Sequence, residues 1–176
     1  MSGHNKWSKI KHKKAATDAQ KSRVFSKYAR LIAVESKKAG GDINAPNLRA
    51  VIEKAKKDSM PADNISRAVA KGVGGGGEAM EEVTYEAYGP GGSALIIEGL
   101  TDNRNRTAAE IKHILSKRGI ELASPGSATW AFGKTSTEWE AKTTTPISDE
   151  DGEKLEELIE TLLEHDDVQN VYTNAE

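Results

Sequence analysis

Residues 82–97 read EVTYEAYGPGGSALII. Val83, Tyr85 and Ala87 alternate with polar residues, the period of a strand with one wet face. Gly89-Pro90-Gly91-Gly92 is a turn. The run Ala94-Leu95-Ile96-Ile97 then predicts a second, more deeply buried strand. From here to the end the chain builds a sheet, whereas everything before it reads as helix or arm.

Downstream, the polar loop Thr101-Asp102-Asn103-Arg104-Asn105-Arg106-Thr107 leads into a helix with Ile111, Ile114 and Leu115 on its buried face and Gly119 at its close. Ser124-Pro125-Gly126 turns the chain. Ala128–Phe132 is expected as a third strand and Glu138–Lys142 as a fourth. Ser148-Asp149-Glu150-Asp151 opens another helix, with acids in its positive first turn. Leu155, Leu158, Ile159, Leu162 and Leu163 form its stripe, and Val168, Val171 and Tyr172 fit a last strand. With the first strand set aside, the order is βαββαβ, that of a ferredoxin-like sandwich. The first strand is expected to extend that sheet as a hairpin.

Upstream lies Gly72-Val73-Gly74-Gly75-Gly76-Gly77-Glu78. A phosphate-cradling loop needs a strand before it and Lys-Ser/Thr after it, and neither is present. The glycines read as a flexible linker over residues 73–78, between a domain of residues 1–72 and one of residues 79–176. Before the linker come three helical segments. Val24, Phe25, Tyr28, Leu31 and Ile32 share one face of a helix from about Asp18–Ser22 to Ala39, ended by Gly40-Gly41. Pro46 starts the next, striped by Leu48, Val51, Ile52 and Ala55. Pro61 starts a third, with Ile65, Ala68 and Val69 inward and Gly72 as its stop. None stands alone at this length, so the stripes pack on one another. The fold class is therefore α+β: a three-helix N-terminal domain, then a ferredoxin-like α/β sandwich with an extra N-terminal strand.

The 176 residues suit one domain or two small ones, and no cysteine occurs. Disulfides, cysteine-bound zinc and thiol catalysis are excluded, and a reducing compartment, the cytoplasm, is the expected location. No apolar run follows the basic N-terminus, so no secretory leader is expected. No apolar run of about 18 residues exists, so no membrane partner is expected. The net charge of −2 conceals a sharp division. Residues 1–72 hold 17 Lys+Arg against 6 Asp+Glu, a net of +11, while residues 73–176 carry a net of −13. One part is suited to grip a polyanion and the other is not.

The grip concentrates in Gly3–Arg30, where seven lysines and two arginines face one acid, Asp18. This arm has too little apolar surface to bury its first half. Lys6, Lys9, Lys11, Lys13, Lys14, Lys21, Arg23, Lys27 and Arg30 are candidate phosphate contacts, each releasing counterions on binding. Trp7 and His12 are candidates to stack on a base. The plainer alternative is a solvated tail. Arg104 and Arg106 mark a second candidate phosphate contact at a strand-to-helix junction. There the alternative is a self-satisfied loop in which Asp102 or Asn105 caps the helix and pairs with an arginine. His4, His12, His113 and His165 show no metal-ligand spacing, so neither a metal nor a cofactor is expected. No G-x-S-x-G elbow occurs. Glu153, Glu156, Glu157, Glu160 and Glu164 interleave with the leucine stripe as a wet helix face. No catalytic constellation and no small-molecule substrate site emerges, so the chain does not read as an enzyme.

Five segments in order carry a family resemblance: Gly3–Trp7, Ile10–Lys14, Tyr88–Gly92, Thr101–Thr107 and Asp166–Tyr172. Together the chain resembles the YebC/PmpR family, whose members are described as probable transcriptional regulators that bind DNA in the bacterial cytoplasm. Related members are described as translation factors acting at the ribosome. The resemblance implies a helical N-terminal domain followed by α/β modules, and nucleic acid, promoter DNA or ribosomal RNA, as partner. One departure stands out. Longer relatives carry a further α/β module where Gly133–Thr137 alone joins two strands here. The flexible Lys/His/Trp arm itself suits structured RNA, while the family's usual description favours DNA.

Overall fold

The computed structural model describes residues 17–75, 80–136 and 138–176. The chain divides into two compact units, one within residues 15–81 and one that takes in residues 82–176.

The first unit holds three helices, α1 (Asp18–Ala39), α2 (Pro46–Lys57) and α3 (Ala62–Val73). Thr17 opens α1 with a capping box: its side chain accepts from the Gln20 N–H and the Gln20 side chain accepts from the Thr17 N–H. Gly40, at φ +61°, ends α1 in the left-handed conformation that glycine adopts without strain. The core gathers Ile32, Leu48, Ile52, Ala55, Met60, Ile65 and Ala68, with Phe25, Tyr28 and Ala29 packed against it. Val24 and Leu31 stand outside that core and are half-buried, so the inner stripe of α1 is narrower than its sequence period suggests.

Gly72 is not the stop the sequence implies. Helix α3 runs through it to Val73 and is capped at Gly74. A β-carbon at Gly72 would lie 2.3 Å from the Ala33 carbonyl oxygen and 2.8 Å from Ser36 Cβ. Its glycine serves the close approach of α3 to α1 rather than a turn. Ser36, wholly buried, seals the same contact by donating to the Val69 carbonyl at 2.7 Å.

The second unit begins with the expected hairpin, β1 (Glu81–Tyr88) and β2 (Ala94–Thr101). A 3-10 turn over Pro90–Gly92 joins them, with Gly91 at φ +71°. Next come α4 (Arg104–Ser116), β3 (Leu122–Ala123), a 3-10 turn at Thr129–Ala131, β4 (Phe132–Lys134), β5 (Trp139–Ala141), α5 (Asp149–Glu164) and β6 (Val168–Thr173). The main sheet has the order β3-β1-β2-β6, and β4 and β5 pair separately as a two-stranded sheet. The α+β class and the helical-then-sheet order are as the sequence implies. The place of the first strand differs: it lies inside the sheet, where a ferredoxin-like βαββαβ order would put a strand from the Ala128–Lys142 region. Hairpin partners joined by a tight turn pair directly, and β1 has eight residues to offer where β4 and β5 have three each. The expected third strand is displaced as well, since Thr129–Ala131 is a 3-10 turn and strand begins only at Phe132.

Strand β2 is covered on both faces, which explains its unbroken apolar run. Leu95 and Ile97 join Ala87 and Val171 against Ile111, Leu115, Leu155, Leu158, Ile159 and Leu162 of α4 and α5. Ala94 and Ile96 join Tyr172 against Ala128, Ala131, Phe132 and Trp139 on the other side. The register with β6 slips between Glu98 and Gly99. A side chain at Gly99 would put its Cβ 2.6 Å from the Asp167 carbonyl, so glycine lets that residue close in. The Leu100 N–H then donates to the same carbonyl at 2.8 Å.

One buried carboxylate organises the loop after β3. Glu86 of β1 accepts from the N–H groups of Gly126 (2.7 Å), Ala128 (2.9 Å) and Thr129 (2.8 Å). Burial pushes its carboxyl up, but the donors from Gly126, Ala128 and Thr129 prevail and hold it below the usual carboxylate range.

Gly72 and Glu86 each set a stability expectation. Gly72→Ala forces backbone apart and is expected to cost the helical unit about 1–3 kcal/mol in a urea titration; an unchanged midpoint would refute the close-approach role. For Glu86 the sign is fixed by its lowered pKa. Its contribution is present above the ordinary carboxylate range and fades as pH falls through the depressed value. Glu86→Gln is therefore expected to lose about 1–3 kcal/mol at neutral pH, with the deficit shrinking in acid. A deficit independent of pH would show that the charge is irrelevant.

Candidate nucleic-acid interface

Lys6, Trp7, Lys9, Lys11, His12, Lys13 and Lys14 lie outside the described residues. Lys21, Arg23, Lys27 and Arg30 all lie on α1. An α-helix turns about 100° per residue, which sets Arg23, Lys27 and Arg30 in one row opposite Phe25, Ala29 and Ile32. Lys21 is exposed, and the three members of the row are half-buried. Further along, Lys37 is exposed in the last turn, and Lys38 pairs with Glu35 at 3.3 Å. The apolar residues that pack in the unit's core and the row of cations thus lie on opposite sides of α1.

The α4 junction is more tightly built than its composition suggests. Asn103 is the N-cap, its Oδ1 accepting from the Arg106 N–H at 3.1 Å; neither Asp102 nor Asn105 takes that position. The Arg106 guanidinium donates to Asp102 at 2.7 Å and to Asp167 at 3.1 Å. Asp167, 3% exposed, also accepts from Thr107 Oγ1 at 2.8 Å. Thr107 Oγ1 stands 2.7 Å from Thr101 Oγ1, and Thr101 Oγ1 accepts from the Asn103 N–H at 2.9 Å. Arg106 is thus engaged by two carboxylates and anchors the start of α4 to the loop before β6. Arg104 is exposed at the first helical position. It lies near Tyr85, whose phenol burial pushes up while the Arg104 charge opposes the shift.

Beside this junction Glu110, His165 and Asp167 bring three potential ligand atoms within 4.8 Å of one another. The sequence spacing gave no hint of this grouping, because α4 and the end of α5 meet only in the fold. Its hydrogen bonds argue for a closed network instead of an open ligand set. His165 Nδ1 accepts from the Asp167 N–H at 3.1 Å, which leaves the ring proton on Nε2. Nε2 then donates to Glu110 at 2.5 Å. A cation on Nε2 would have to displace that proton while Arg106 already occupies Asp167.

Two aromatic residues were missed by sequence reasoning. Trp130 and Tyr88 are 60% and 39% exposed on the second unit. Trp130 Nε1–H donates to Tyr88 Oη at 2.8 Å, and the Tyr88 hydroxyl donates to the Ser127 carbonyl. The available signal was the pairing of Tyr88 at the hairpin turn with an aromatic in Ala128–Phe132. As a sequence, that second segment reads as a buried strand. The 3-10 turn is what swings Trp130 outward.

Among the described residues no helix is long and apolar enough to cross a membrane. The family model for the TACO1/YebC protein N-terminal domain matches residues 5–75, and that for the TACO1/YebC second and third domain matches residues 80–137 and 133–175. A "Probable transcriptional regulatory protein" from Thermoanaerobacter pseudethanolicus is 40% identical, over all of this chain and 97% of that protein. That alignment runs over 239 positions against 176 residues here, so the relative holds further residues within the matched span. Another protein so named, from Fervidobacterium nodosum, is 54% identical over 75% of this chain and 53% of its own length. Among solved structures, a conserved hypothetical protein of Aquifex aeolicus superposes with a TM-score of 0.83 at 32% identity, over 97% of this chain and 96% of that one. With family models matching nearly its whole length in domain order, this chain belongs to the TACO1/YebC family.

Proposed function

We propose that this protein is a nucleic-acid-binding regulator of gene expression that works without catalysis. The observation that carries this reading is the segregation of charge, +11 before residue 73 and −13 after it. A solubility role would not require such separation, whereas a polyanion-binding surface does. The arm cations Lys6, Lys9, Lys11, Lys13 and Lys14, with Lys21, Arg23, Lys27 and Arg30 of α1, are assigned as phosphate contacts. Trp7 and His12 are assigned as stacking partners. Arg104 is assigned as a second phosphate contact. Arg106, engaged by Asp102 and Asp167, serves to hold the junction that presents it.

Phosphate contacts set affinity and register, not sequence choice. The names of the relatives, "probable transcriptional regulatory protein", support DNA as the partner. Ribosomal RNA is the second reading, favoured by an arm whose cations, imidazole and indole suit the folded phosphates of structured RNA. Crosslinking in cells followed by sequencing of the bound strand separates the two. The glycine-rich stretch of residues 73–78, in which Val73 closes α3, is proposed as the tether between the binding unit and the acidic α/β unit.

Replacing Lys11, Lys13 and Lys14 together with alanine is expected to weaken binding to every nucleic acid. It should also flatten the slope of log Kd against log salt by about 0.7–0.9 for each phosphate that is no longer neutralised. A titration with unchanged slope would remove these lysines from the interface.

A further inference from the structure

Trp130 is the most exposed large apolar side chain among the described residues. Leaving a tryptophan ring in water forgoes most of the transfer free energy its burial would give, so folding supplies no reason for its position. Nor is the ring loose. Its one polar atom is bonded to Tyr88, and Tyr88 is bonded to Ser127. The N–H groups of Gly126, Ala128 and Thr129 on either side of Ser127 are fixed on the buried Glu86. The next residue, Ala131, is fully buried. The edge of the indole is therefore locked to the sheet while most of its surface is open.

The surroundings indicate what it meets. A protein-docking surface needs a contiguous apolar patch. Here the exposed neighbours are Tyr88, the turn Ser124-Pro125-Gly126 in the same loop, and Lys142 and Thr143, whose N–H groups donate to the Ala131 carbonyl at 2.8 and 3.2 Å; together they make a small mixed surface, not a broad apolar one. An indole fixed in place by a second aromatic, with polar residues around the pair and a cation on the adjoining segment, suits the stacking of one base and contact with its phosphate. Fixing the ring in advance removes an ordering cost at binding. Bases inside a duplex are stacked on each other and present no free face.

We propose that Trp130, held by Tyr88, is a stacking platform for an unpaired nucleobase, with Lys142 as the accompanying phosphate contact. This deepens the nucleic-acid reading above and rests on it. It adds a base contact to the phosphate contact assigned to Arg104 in the acidic unit, and directs the protein to loops, bulges or melted stretches.

The test uses the full chain and four labelled probes of about 12 nucleotides: an unstructured RNA, the same sequence as single-stranded DNA, an abasic strand, and a DNA duplex. Trp130→Ala and Trp130→Leu are expected to weaken binding of the unpaired RNA, or of both unpaired strands, by roughly 5- to 100-fold, the worth of one base–aromatic stack. Loss on RNA alone assigns the platform to RNA, and loss on both assigns it to any unpaired strand. The abasic strand and the duplex should bind as they do to the unaltered chain. Trp130→Phe, which keeps a ring, should retain most of the affinity. Unchanged binding of both unpaired strands by Trp130→Ala overturns the platform, and lost association with a protein instead would assign the ring to a protein partner. Equal loss on the abasic strand also overturns it, since the ring would then act without a base. The arm reading survives either result if the Lys11, Lys13 and Lys14 variant still loses all four probes. Failure of the unaltered chain to bind any probe overturns both.

Discussion

The burial of β2 on both faces is the constraint on which the second unit depends. One face of this strand is covered by α4 and α5 through Leu95 and Ile97, and the other by the turn at Thr129–Ala131 and Phe132 through Ala94 and Ile96. A strand so enclosed needs hydrogen-bonded neighbours on both edges, and β1 and β6 supply them. From that arrangement come the two fixed loops. Glu86 on β1 holds the loop that carries Trp130, and the bulge at Gly99 admits Asp167, which fastens the start of α4. In both places a buried carboxylate gathers donors, Glu86 from a loop and Asp167 from the first turn of α4, and the segment that supplies them is thereby given one shape.

The same division of labour runs through the whole chain. Helix α1 uses one side to build a core with α2 and α3 and leaves a row of cations on the other. The acidic remainder has few cations, and those it has are often engaged: Arg106 by two aspartates, Lys134 near Glu98 at 3.9 Å, Lys154 by Glu150 at 3.0 Å. Its proposed contribution to binding is therefore a shaped aromatic contact with a local cation, not a broad electrostatic one. In the proposed account, affinity resides in the arm and α1, and the choice of unpaired strand resides in the second unit.

Much of the fold was legible in the sequence because local rules were obeyed. Gly40, Pro46 and Ser148 sit at helix ends where capping and proline chemistry place them, and the period change at Val83 marks the start of the sheet. What was not legible depends on residues distant in sequence. Gly72 resembles a helix stop unless its proximity to Ala33 is known. The position of β1 within the sheet follows from pairing that periodicity does not encode. Ala128–Phe132 has the composition of a strand, and only the bonds to Glu86 turn part of it into the support for Trp130. At the α4 junction, composition left Arg106 divided between binding a phosphate and satisfying its own loop. The distances to Asp102 and Asp167 show it engaged within the fold.

Hydrogen exchange of the full chain, free and saturated with a structured RNA or a partly melted DNA, tests the central claim most directly. The account predicts slowed exchange in residues 1–30 and in the loop of residues 124–131, with α5 unchanged. Slowing confined to the acidic face of α5, with the arm exchanging as in the free protein, would contradict it.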